Sequence, residues 1–142
     1  MEKKRLSLIK PTLQTSFFID FQWWRQNDRN WRIYIKSYLS EDIDLEKMDL
    51  DDDTLIDIIN KETAEVHQVD ALQHLLISQY ADRDDFITEN TSVAESIFRL
   101  LLANGNAPLT AIELGEATKK DPKTVLRMLS GQRIYKGIRP LL

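Results

Sequence analysis

The sequence predicts an α+β fold that is mostly helical, with strands and a hairpin in its N-terminal part. Apolar residues recur with the helical period in several segments, most clearly between Ser92 and Leu129. Short runs rich in aromatic and β-branched residues, such as "LQTSFFID", are typical of strands. With 142 residues, of which 42% are hydrophobic, the chain can form one compact domain or two small subdomains that share a core.

The first predicted elements are a strand that ends at Asp20 and one helix, capped by Asp20, that runs to about Tyr38 or Leu39. On this helix three tryptophans share one apolar face with Tyr34 and Tyr38, which is more typical of core anchors than of base-stacking platforms. A separate basic stripe lies beside that face, and we interpret it as a possible second surface for a polyanion or a protein partner. Its members are Arg25, Arg29, Arg32 and Lys36.

An acidic segment follows, residues 41–53, and it predicts either a solvated linker or a short acidic helix. Residues 55–69 then predict a hairpin with a polar turn around Asn60–Thr63. Asp70 is positioned to cap the next helix. These elements make up a predicted N-terminal α+β subdomain, residues 1–90, to which the sequence assigns no role.

Helix boundaries are clearer from Ser92 onward. Ser92 with Glu95, and Thr110 with Glu113, have the spacing of capping boxes. Asp121 is expected to cap a third helix, residues 122–130, with Pro122 in its first turn. The final run "RIYKGIRPL" predicts a short hairpin that turns at Lys136–Gly137.

Residues 109–131, "LTAIELGEATKKDPKTVLRMLSG", resemble the helix-turn-helix of winged-helix regulators. The resemblance extends over about residues 91–142 and implies a C-terminal winged helix-turn-helix domain that binds double-stranded DNA. Lys119 departs from the pattern, since the family often has Gly in this turn, and the geometry of the turn is therefore left open. The matching residues are Glu113, Leu114, Gly115, Thr118, Thr124, Val125, Arg127 and Leu129.

Helical geometry supports the same interpretation. In the segment 122–130 the apolar residues occupy one arc, and Lys123, Thr124 and Arg127 point to the opposite side. These three are the candidate base-reading residues, because Lys or Arg can bond guanine and Thr can contact a thymine methyl group in the major groove. The candidate phosphate contacts are the cations around this helix and in the predicted hairpin. They are Lys119, Lys120, Arg133, Lys136 and Arg139.

The net charge of −4 conceals a strong segregation of charge along the chain. Residues 1–36 contain eight cations and three acids, and residues 119–142 contain seven cations and one acid. Residues 37–118 contain four cations and nineteen acids. Basic ends of this kind can bind a polyanion, or they can dock on the acidic middle of the same molecule.

Other classes of function are not favoured. The chain has no cysteine and only two histidines, so we expect no metal, no cofactor and no enzymatic activity. No apolar run approaches the length of a membrane span, and the start is too polar for a signal peptide, which predicts a cytoplasmic protein without membrane association. The leading hypothesis is a small transcription regulator or DNA-bound accessory factor. The alternative is a non-catalytic adaptor that uses a winged-helix fold to dock on another protein, and homodimerisation is possible in either case.

Overall fold

The computed structural model describes residues 10–39, 55–81, 90–131 and 133–141. Six helices and two small antiparallel sheets make this part of the chain a mostly helical α+β fold, as predicted. None of these helices is long and apolar enough to cross a bilayer. The predicted acidic segment 41–53 lies outside the described residues. The helices are α1 (Phe21–Asn27), α2 (Trp31–Tyr38), α3 (Ala71–Tyr80), α4 (Val93–Ala103), α5 (Ala111–Thr118) and α6 (Pro122–Leu129), and the strands are β1 (Ser16–Ile19), β2 (Leu55–Ile59), β3 (Val66–Asp70), β4 (Leu109–Thr110) and β5 (Ile138–Pro140).

Helix starts follow the predicted caps. The side chains of Asp20, Asp70 and Asp121 each accept a hydrogen bond from a backbone N–H in the first turn of α1, α3 and α6. Thr110 and Glu113 form a complete capping box at the start of α5. Ser92 accepts from the Glu95 N–H in the same way, but the Glu95 carboxylate takes other partners. Each cap satisfies an N–H group that the helix itself leaves unpaired.

The single helix predicted between Asp20 and Leu39 is wrong, because residues 28–30 interrupt it. The Asp28 N–H closes α1 on the Trp24 carbonyl, and the Asp28 carboxylate then accepts from the Asn30 N–H at 2.8 Å. Tertiary packing favours this break. Trp24 and Tyr34 would stand roughly 15 Å apart along one straight helix, whereas their stacked rings lie 6.3 Å apart in the structure.

The hairpin predicted at the C-terminus is also wrong in its strand pairing. The turn itself is present, since Lys136 and Gly137 both have positive φ and the Ile138 N–H donates to the Tyr135 carbonyl. However, β5 pairs with β1 rather than with residues 133–135, and β1 lies between β4 and β5. The N-terminal strand therefore takes the position that the first arm of the wing was expected to fill.

One hydrophobic core joins the two predicted segments of the chain. Trp24 and Trp31, both buried as predicted, belong to the same cluster as Phe98, Leu114 and other buried residues of the C-terminal part. Gly137 packs closely against this core, because a Cβ atom there would lie 2.8 Å from the Cβ of Trp24. The C-terminal turn is thus held against α1.

The hairpin predicted at residues 55–69 is present as β2 and β3, which pair with Ile59 opposite Val66. Residues 60–65 form its turn, where the Asn60 side chain accepts from the Glu62 N–H. Unlike β1, this hairpin is not buried: Leu55, Ile59 and Val66 each expose more than half of their surface.

Candidate nucleic-acid interface

The packing of α5 against α6 sets the geometry of the candidate interface. A Cβ atom on Gly115 would lie 2.7 Å from the Lys120 carbonyl oxygen and 2.9 Å from a Pro122 side-chain carbon, so glycine allows the start of α6 to approach α5 closely. Between the helices Lys119 adopts the left-handed conformation, with φ of 59°. The turn that the sequence left open thus contains a lysine in a conformation that favours glycine.

The three candidate base-reading residues lie together on the exposed side of α6. Lys123, Thr124 and Arg127 are all exposed, whereas Val125 is completely buried against the core. No ion pair joins Lys123 or Arg127 to another residue in the described part of the chain. The face that sequence analysis assigned to the major groove is thus a solvent-facing surface with two cations and one hydroxyl.

The five candidate phosphate contacts are not equivalent. Lys119 and Arg133 are exposed, and Lys120 is half-buried. Lys136 instead pairs with Glu95 at 3.1 Å, and Arg139 pairs with Asp20 at 3.2 Å and lies over the Trp23 ring. The structure therefore places Lys119 and Arg133 at the surface near α6, whereas Lys136 and Arg139 form ion pairs with other residues of the chain.

A polar cluster around Glu95 explains the position of Lys136. The Glu95 carboxylate accepts hydrogen bonds from Tyr38 at 2.5 Å and from Tyr135 at 2.8 Å, and it also pairs with Arg99 at 3.0 Å. The Lys136 ammonium group lies among aromatic rings, 4.6 Å from the centre of Tyr38, and its side chain is only 16% exposed. The cluster therefore joins α2, α4 and the turn before β5.

The cluster shifts the titration of its members. Burial raises the pKa of Tyr38 and of Tyr135 above the ordinary range, and the hydrogen bonds to Glu95 raise both further. Burial alone would raise the pKa of Glu95, but hydrogen bonds from the two tyrosines and the charge of Lys136 outweigh it and lower that pKa. Glu95 is consequently ionised and the tyrosines are neutral donors near neutral pH.

The N-terminal cations do not form the continuous helical stripe that the sequence predicted, because the break at residues 28–30 divides them. Arg25 on α1 pairs with Asp70 at 3.3 Å and lies over the Trp31 ring. Arg29 in the break and Lys36 on α2 are exposed, and Arg32 is half-buried. A role for these residues in partner binding stays a prediction.

Two ion pairs, Arg25–Asp70 and Lys136–Glu95, join the basic ends of the chain to its acidic middle. Arg25 belongs to the basic N-terminal part and Lys136 to the basic C-terminal part, and their partners Asp70 and Glu95 belong to the acidic middle. The alternative that basic ends dock on the acidic middle is therefore correct for these two cations. Among the described residues, internal pairing does not explain the exposed cations on and around α6, nor Arg29 and Lys36.

Sequence analysis missed the Glu95 cluster completely. Glu95 stands three residues after Ser92, and this spacing predicted a local capping role. Arg99 is a local partner, four residues later on the same helix, but the other donors come from positions 38, 135 and 136, and no local spacing could identify those three.

Comparisons of the chain with protein-family models, with curated proteins and with solved structures find no match. Inferences about function must therefore come from its own residues.

Proposed function

We propose that this protein binds double-stranded DNA and acts in the cytoplasm as a small transcription regulator or a DNA-bound accessory factor. Helix α6 enters the major groove, where Lys123, Thr124 and Arg127 contact base edges. Arg133 and Lys119 contact neighbouring phosphates. Lys136 has a structural role instead, because its side chain is only 16% exposed and pairs with Glu95. Arg139 pairs with Asp20, but its side chain is 39% exposed.

The observation that carries this proposal is the exposed polar face of α6. Its apolar side is anchored by Val125, which is fully buried, and its start is fixed by the Asp121 cap and by close contact with Gly115. The helix therefore has a fixed orientation, and base reading requires such an orientation because each side chain must meet a particular base edge. The cations on this face have no ion-pair partner among the described residues, as an anion-binding surface requires.

The central prediction compares two residues of the proposed interface. Arg127→Ala should weaken binding to the preferred duplex by about 1–3 kcal/mol and relax selectivity at one base position, because a guanine contact is lost. Arg133→Ala should instead weaken all duplexes by a similar factor and reduce the salt dependence of log Kd by about one unit, because one fewer counterion is released. Selection from a random duplex pool, followed by titration at several salt concentrations, measures both effects.

Lys61→Ala is the matched control, because it removes an exposed cation in the turn between β2 and β3 and leaves α6 unchanged. All three variants should remain folded. If Arg127→Ala lowers duplex affinity no more than Lys61→Ala does, α6 is not the reading helix and the proposal fails.

A second candidate function, a protein-interaction adaptor, is favoured by the exposed β2–β3 hairpin. Leu55, Ile59 and Val66 are 55%, 63% and 58% exposed. They lie on one face of the hairpin. Side chains alternate between faces along a strand, so Leu55 and Ile59, four residues apart, share a face, and Val66 is directly opposite Ile59. Exposed apolar strands with unpaired edges are common docking surfaces for another chain.

This candidate predicts that the hairpin, rather than α6, carries the interaction. A double variant, Ile59→Thr with Val66→Thr, keeps β-branched residues but removes apolar surface. If the hairpin docks on a second copy of this chain, the wild type should self-associate in light-scattering measurements and the double variant should not, while neither should bind duplexes selectively. A monomeric wild type with selective duplex binding would rule it out in favour of DNA binding.

A further inference from the structure

A cleft of about 480 Å³ lies between α2, the start of α4, the end of α6 and residues 133–136. Its apolar wall is formed by Tyr34, Met128, Ile134 and Tyr135. Tyr34 and Ile134 are 39% and 37% exposed, so large apolar surfaces border an open space. The volume falls in the range of roughly 300–1,000 Å³ that is typical of small-molecule sites.

Among the described residues, three charged side chains line the cleft, and two of them already have partners within the protein. Asp28 accepts from the Trp24 indole N–H with one carboxylate oxygen and from the Asn30 N–H with the other. Lys136 is paired with Glu95. Both carboxylate oxygens of Asp28 and the ammonium group of Lys136 therefore already have hydrogen-bond partners within the protein.

Arg133 is the remaining charged group of the cleft, and it differs from the other two. It is exposed, and it makes no hydrogen bond or ion pair with another residue of the described ranges. A guanidinium group presents a planar set of donors that matches the two oxygens of a carboxylate. The polar requirement of the cleft is thus one anionic group at Arg133, next to an apolar wall.

We propose that this cleft binds a small amphipathic carboxylic acid, whose carboxylate pairs with Arg133 and whose flat apolar body lies against Tyr34, Met128 and Ile134. An amine would be repelled by Arg133, and the carboxylate oxygens of Asp28 and Glu95 already accept hydrogen bonds from groups of the protein. A neutral apolar compound would leave Arg133 without a partner.

The site has a regulatory consequence that rests on the proposed DNA-binding function. Arg133 follows α6 by four residues and belongs to the proposed phosphate contacts. A bound carboxylate would neutralise it, and Met128 of α6 would lie against the ligand. Binding of the acid should therefore weaken DNA binding, and by linkage DNA should weaken binding of the acid by the same factor.

The site can be tested without DNA by NMR titration of the backbone amides with 1-naphthaleneacetate, phenylacetate and octanoate, each compared with its neutral amide. At least one acid should bind with a Kd of about 1 mM or tighter, as its size allows. Its amide should bind about tenfold more weakly, because the charge-assisted hydrogen bonds are lost. Shift changes should centre on Tyr34, Met128 and Ile134.

Arg133→Ala should remove the preference for the acid over the amide, and Lys61→Ala, which removes a cation outside the cleft, should retain it. Equal binding of acid and amide to the wild type, an unchanged preference in Arg133→Ala, or no binding of any acid would each overturn the proposal.

Measuring duplex binding with and without the acid distinguishes failure of the cleft proposal from failure of the proposed DNA-binding function. The acid should weaken duplex binding by the wild type but not by Arg133→Ala. If the acid binds and duplex affinity does not change, the regulatory part is wrong and the cleft remains a ligand site. If the wild type binds no duplex, the DNA proposal fails, while the titration with acids still decides on the cleft.

Discussion

Replacing Trp24 by alanine is expected to remove a large part of the protein's stability. Its side chain is only 1% exposed, and the rings of Trp31, Tyr34 and Phe98 lie 5.7–6.5 Å from its own. Truncation of a buried tryptophan costs about 3–5 kcal/mol, and a domain of this size is stable by only about 5–15 kcal/mol. The change removes the residue on which α1, α2 and α4 meet.

Thermal and urea denaturation, followed by circular dichroism, would measure this loss. Trp23→Ala is the matched control, because Trp23 is the neighbouring residue on α1 but is only half-buried. It should lower stability clearly less than Trp24→Ala. If the two variants lost the same amount of stability, the aromatic cluster would not be the anchor of the core.

Features that depend on near neighbours were predictable from the sequence. The caps at Asp20, Asp70 and Asp121 were predicted because a cap bonds a backbone group two or three residues away. The exposed face of α6 was predicted for the same reason, since a helix repeats its faces every three to four residues. Both features lie within one helical turn of the residues that determine them.

The break between α1 and α2 shows where local reasoning fails. The helical period continues from Trp23 to Leu39, so the apolar pattern alone predicts one helix. The run "NDRN" does contain residues that favour turns. Whether it ends the helix depends on whether folding back lets the chain form stabilising contacts. That gain comes from Trp31 and Tyr34 reaching Trp24, which is a tertiary contact.

Strand pairing failed for a related reason. The turn at Lys136–Gly137 was correct because it is a local preference, but the partner of β5 is β1, about 120 positions earlier in the chain. The residues of a short apolar strand do not determine by themselves which other strand it pairs with. The wing was therefore predicted as a hairpin, although the N-terminal strand supplies its partner.

The same distinction applies to the candidate site. Sequence could place Lys123, Thr124 and Arg127 on one face, and the structure exposes all three. It could not show that Lys136 and Arg139 are paired, since their partners Glu95 and Asp20 are distant in sequence. Counting cations along a segment therefore overestimates the charge available to DNA.

Loss of the Glu95 carboxylate should also lower the stability of the fold strongly, because this group joins α2, α4 and the turn before β5. In Glu95→Ala, the Lys136 ammonium group would keep its buried position without a counter-ion, and the hydroxyls of Tyr38 and Tyr135 would lose their acceptor. Removing one partner of a buried ion pair leaves an uncompensated charge, so we expect a cost of about 3 kcal/mol. Urea denaturation at pH 7 measures this cost, and Glu113→Ala, which removes an exposed capping carboxylate, should cost about 1 kcal/mol.

The pH dependence of stability distinguishes this cluster from an ordinary surface contact. The pKa of Glu95 in the folded protein lies below its ordinary value of 4.5, so the unfolded chain takes up the proton first as the solution is acidified. The stabilisation is therefore fully present above about pH 5 and is lost as the pH falls toward the pKa of the folded state. Glu95→Gln has no such proton to bind, so its deficit relative to the wild type should be constant at neutral pH and should shrink below pH 4.5. A deficit that did not change with pH would mean that Glu95 is solvated and unpaired. Lys136 would then be available at the surface again, and it would return to the set of candidate phosphate contacts.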